Sequence, residues 1–150
     1  MRLLEALQWL AVTLWVGGLW AIGFIVAPSL FHALEDRALA GSLAARFFAL
    51  IAWVGFACAG YLLTYRWLRF GAAALTQAFF WIVLIMAALG LAGHLGVQPV
   101  LESLKAQVPH QAVEALTRQR FVVWHGVASL LYLLQSALGG ALVLLPRAPR

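Results

Sequence analysis

The residues able to do chemistry are few, and the densest set lies on the fourth apolar segment, where His125, Ser129, Tyr132 and Ser136 recur at intervals of four, three and four. That spacing places them on one helical face, with Arg118 and Glu114 continuing it outward. On the third apolar segment His94, Gln98 and Glu102 are each four residues apart, with Pro99 between them. Two imidazoles on facing helices can ligate a transition metal or the iron of haem b, with Gln98, Ser129 or Glu102 fixing the ring tautomer. The plainer reading of the same stripe is interhelical hydrogen bonding, worth about 1 kcal/mol or less per bond. His94, Gln98, His125, Ser129 and Tyr132 are thus the candidate ligand-binding residues, and His94 and His125 the candidate metal or haem ligands. No His-x-x-His, Glu-x-x-His or Cys-x-x-Cys motif occurs, so the leading expectation is that no cofactor is bound. A serine nucleophile with a base, a phosphate loop and paired membrane carboxylates are all missing from the sequence, so no catalytic residue is assigned and a non-enzymatic role is favoured.

The elements that must position these groups are membrane-crossing helices. Of 150 residues 65% are apolar and 10% charged, and the mean hydropathy is +0.95, far outside the range of a soluble domain. The stretch Trp15 to His32 lies within an uncharged run of 26 residues from Ala6 to Phe31, which at about 1.5 Å per residue exceeds a hydrocarbon layer of roughly 30 Å. Helices are expected over about 3–34, 43–63, 74–97 and 111–145. The fold class is all-α, a four-helix integral membrane bundle forming one transmembrane domain over residues 1–150. Arg66 to Gly71 would be a short turn. Pro99 to Gln119 would be a long interfacial connection between helices three and four, broken at Pro109. A β-barrel is excluded, because barrel strands alternate over about ten residues and these apolar runs are continuous. The first run is about twice a normal signal-peptide core and is followed by Glu35-Asp36, so a retained span is expected there. The single Cys58 excludes an internal disulfide.

Small residues mark the expected helix contacts: Gly17-Gly18 on the first helix, Gly55 with Ala59 on the second, Gly93 on the third and Gly139 on the fourth. The net charge of +5 is carried outside or at the ends of the apolar runs, with no basic patch interleaved with aromatics, so the partner is the lipid bilayer and not nucleic acid.

Four crossings bring His32, His94, His110 and His125 to one end of the bundle. His125 is about five residues past Arg120, roughly 7 Å inside the helix. It is expected to turn towards a Ser, a Gln or His94 rather than lipid. Five basic residues flank each end of the bundle, so the positive-inside rule ties. Four of the five acids lie at the histidine end, which favours cytoplasmic N- and C-termini.

Trp15-Val-Gly-Gly18, Ala27-Pro-Ser-Leu-Phe31, Ala40-Gly41 followed by Phe47, and Trp124-His125-Gly126 to Ser129 together resemble the transmembrane protein 205-like family of small four-helix membrane proteins. The resemblance covers most of the chain in order. It implies the four-helix membrane fold and no established reaction. A Trp-x-Gly-Gly also occurs in copper-resistance-type and haem-pathway membrane proteins, which usually carry a histidine within the first helix; here that helix has none before His32. The resulting expectation is a bacterial inner-membrane bundle whose histidine end binds a small ligand, a lipid or a partner, either a second copy or a membrane complex. The alternative is a haem- or metal-binding redox or transport protein.

Overall fold

A computed structural model describes residues 2–106 and 114–145, and no strand occurs among them. The first crossing joins α1 (Arg2–Trp20), a π-helical turn (Ala21–Val26) and α2 (Ala27–Ala33). The second is α3 (Arg37–Phe70), followed by a 3-10 turn (Gly71–Thr76). The third joins α4 (Ala78–Leu91), a second π-helical turn (Ala92–Val97) and α5 (Gln98–Ala106), and the fourth is α6 (Glu114–Leu144). The stretches Leu3–Ala33, Arg37–Thr76, Ala78–Leu104 and Gln119–Leu144 are each long and apolar enough to cross a bilayer. The chain is an all-α, multi-pass membrane protein.

The second helix is longer at both ends than the expected 43–63. It starts at Arg37 because the Asp36 carboxylate accepts the Ala38 and Leu39 N–H groups at 2.8 and 3.1 Å, capping two otherwise unpaired donors. It runs through the expected turn at Arg66 and stops at Gly71, whose φ of +54° suits only glycine well. The expected long connection also shrinks, because the third crossing continues through Pro99 to Ala106.

A common device explains both π turns. Pro28 and Pro99 are each the second residue of the helix that follows the turn. A proline has no N–H for the carbonyl four residues upstream, and its ring crowds that carbonyl. Widening the helix before the proline re-pairs the backbone one residue further back, as Ala27 N–H to the Ile22 carbonyl and Gln98 N–H to the Gly93 carbonyl show.

Successive crossings pack antiparallel. Tyr61 near the end of α3 donates to the Leu4 carbonyl at 3.0 Å, and Trp20 and Val16 of α1 lie beside Ser136 and Gly139 of α6 in turn, so the start of α1 and the end of α6 lie at the same end of the bundle. Val12, Trp15, Val16 and Leu19 meet Ile51, Cys58 and Leu62 of α3, Val83 and Met86 of α4, and Leu142 of α6. Gly18, Gly55 and Gly139 sit at these contacts. A Cβ on Gly55 would come within 2.9 Å of the Trp15 indole, and one on Gly139 within 3.1 Å of Val16. Gly17 and Gly93, expected at close contacts, instead face open space, with nothing within 4 Å of a Cβ at either position.

Candidate functional site

His94 enters the site from the second π turn, and α3 supplies what it touches. Its ring meets Trp53 edge to face at 5.5 Å and 76°, and Phe56 at 6.3 Å and 63°; Trp53 and Phe56 also meet edge to face at 5.8 Å. The imidazole is half-buried, whereas Trp53 is 62% exposed and opens the cluster towards lipid. Among the described residues neither His94 nitrogen has a hydrogen-bond partner. A half-buried donor and acceptor in an apolar crossing is a group that calls for a partner. The open space beside Gly93 and Gly96 leaves room at this turn. Gln98, one turn on, is half-buried, and Glu102 is exposed.

The α6 stripe divides in two. His125 is exposed, and its ring stacks at 5.9 Å and 11° on Phe121 of its own helix. Ser129 donates back to the His125 carbonyl at 2.9 Å. The expected inward turn of His125 towards Ser, Gln or His94 is therefore not made. The reason lies in α6, where every residue from Val122 to Val127 is exposed, so this part of the helix has no buried face. His94 and His125 keep separate aromatic partners, and among the described residues no group of three or more His, Cys, Asp or Glu is arranged to hold a metal.

The inner half of the stripe joins helices. Tyr132 donates to the Leu19 carbonyl and meets Phe48 edge to face at 5.0 Å. Gln135, buried, donates to the Met86 carbonyl at 3.0 Å, and the Trp20 indole donates to the Ser136 carbonyl at 3.2 Å. The Ser136 hydroxyl is buried without a hydrogen-bond partner among the described residues. His32 is exposed at the end of α2, and His110 lies outside the described residues, as do the side chains of Glu114 and Arg118.

Sequence reasoning missed Trp53, Phe56, Trp20 and Gln135. For Gln135 a signal was present, since an amide inside an apolar crossing must find a partner. Trp53 and Phe56 were hidden among many aromatics.

Residues 10–110 match the family described as Domain of unknown function (DUF4149). No curated protein and no solved structure matches the chain.

Proposed function

Since this chain belongs to the DUF4149 family, a domain of unknown function, and has four membrane-length helices, we propose that it is a single-domain binding bundle whose histidine end takes a small lipid-soluble ligand at His94. The observation that carries this is the half-buried His94 imidazole, without a hydrogen-bond partner among the described residues, against Trp53 and Phe56 and open to the lipid side. A ligand with a flat or polarised head would accept or donate one hydrogen bond at the imidazole and rest on the indole, while its apolar part stays in lipid. Gln98 is the nearest polar group along the helix. Kinship with the transmembrane protein 205-like proteins, residence in the bacterial inner membrane and cytoplasmic termini belong to the same proposal.

The test is native mass spectrometry of the full chain purified in mild detergent, with an absorption spectrum of the same sample. A stoichiometric small-molecule adduct in the parent that is lost in His94→Phe, which keeps the ring packing, is the expected result. A parent without any adduct overturns the proposal. A Soret band that shifts on reduction would replace it with haem ligation.

A further inference from the structure

At the end of the bundle opposite His94, two arginines one turn apart are held in different ways. Arg69 pairs with Glu5 at 3.0 Å and donates to the Tyr65 hydroxyl at 3.4 Å. Arg66 has no carboxylate partner among the described residues. Its Nη1 donates to the Gln77 amide oxygen at 2.7 Å, and its guanidinium lies 4.1 Å from the Phe79 ring centre and 5.5 Å from that of Phe70. Its Nε is buried and unpartnered among the described residues. The Glu5–Arg69 pair is the sole ion pair among the described residues, so Glu5, Arg66 and Arg69 together carry an uncompensated charge of −1 + 2 = +1.

Depth gives this charge its meaning. The 19 uncharged residues from Phe47 to Tyr65 span about 28 Å at about 1.5 Å each, close to the thickness of the hydrocarbon layer. Arg66 is therefore at the level of the lipid phosphates. At the same end of the bundle Trp67 and Leu68, which follow it in α3, are 50% and 81% exposed, and Trp81 is exposed in the first turn of α4, the arrangement of an interfacial belt along which acyl chains lie.

We propose that Arg66, supported by Arg69, binds the phosphodiester of an anionic phospholipid at this end of the bundle. The guanidinium is a planar fork suited to two phosphate oxygens, and Gln77 and the two phenyl rings have already fixed its orientation. The net positive charge selects a headgroup that keeps its negative charge over one that balances it with an ammonium. A free phosphate ion would use the guanidinium but not the exposed Trp67, Leu68 and Trp81, and the lipid uses both.

The experiment follows the thermal midpoint and the native mass spectrum of the full chain in neutral detergent during addition of phosphatidylglycerol, phosphatidylcholine or inorganic phosphate. Phosphatidylglycerol should raise the midpoint and remain bound about threefold more than phosphatidylcholine, the effect of a partly exposed charge contact, with no response to phosphate. R66Q should lose this preference, R46Q at the other end should keep it, and E5Q, which adds to the net positive charge, should strengthen it. Equal response to the two lipids, or full preference in R66Q, overturns the proposal. A midpoint shift produced by phosphate alone overturns the lipid source and leaves a free-anion site. If R66Q does not fold, R66K and E5Q decide: the proposal requires weaker phosphatidylglycerol retention in the first and stronger in the second, and unchanged retention in both overturns it.

Discussion

The Tyr132 hydroxyl is inserted into the backbone of the first crossing, donating to the carbonyl of Leu19 and lying against Gly23, four residues further on. In a regular α-helix those two residues would bond to each other. A side chain placed in that gap opens the ladder, and it does so within the turn where α1 gives way to the π-helical Ala21–Val26. Glycine is needed at 23, since a Cβ there would lie 2.8 Å from the hydroxyl oxygen and 2.9 Å from the ring carbon bearing it.

The two residues should therefore be energetically coupled. Gly23→Ala should destabilise the parent by about 1–3 kcal/mol through overpacking, and Tyr132→Phe by about 0.5–1.5 kcal/mol through the lost hydrogen bond. In a Tyr132→Ala background Gly23→Ala should cost much less, because the clash is gone. Reversible unfolding in detergent micelles gives all terms of this cycle; strict additivity would mean that the ring does not occupy the gap.

Gly55 and Gly93 should respond oppositely to a single methyl group. Gly55→Ala meets the Trp15 indole and should cost about 1–3 kcal/mol. Gly93→Ala meets nothing within 4 Å and should be neutral or stabilising by up to about 1 kcal/mol, because alanine is the better helix former. Thermal midpoints of the two variants decide this, and an equal loss in both would refute the contact assignment.

His125→Leu should change the stability of the bundle by no more than about 0.5 kcal/mol, since the ring is exposed and stacks on Phe121 of its own helix. Gln135→Leu, which removes the buried bond to the Met86 carbonyl, should cost about 0.6 kcal/mol or somewhat more, the usual worth of such bonds in membranes. A larger loss at His125 than at Gln135 in the same unfolding assay would contradict the burial pattern of α6.

The four crossings were legible because lipid demands long uncharged runs, and a run such as Ala6 to Phe31 has no competing explanation. Helix ends are less legible where charge in the sequence suggests an aqueous turn: Arg66 and Arg69 remain helical because their long stems let the charged ends reach polar or aromatic neighbours. The His125 stripe rests on spacing, which fixes a shared direction and says nothing about whether a neighbouring helix lies in that direction. His94 was named from the sequence, but its partners Trp53 and Phe56 come from a helix some forty residues away, and only the α3–α4 packing reveals them. In the sequence Pro28 lies near the end of the expected first helix and Pro99 opens the expected polar connection. In lipid the freed carbonyl must be paired within the protein, so the backbone rewinds rather than ends.

That rewinding has a consequence for how the sequence itself should be laid out. A π-helical turn absorbs about one more residue than an α-turn, so the angular phase of everything beyond it slips by about 100°. The first crossing consists of two half-wheels out of phase at Ala21–Val26, and the third does so at Ala92–Val97. A single helical wheel drawn through residues 3–33 would assign lipid-facing positions in one half to the interior in the other. Deletion of one residue within either turn should return the halves to a common phase and swing His32, or Gln98 and Glu102, to a different side of the bundle.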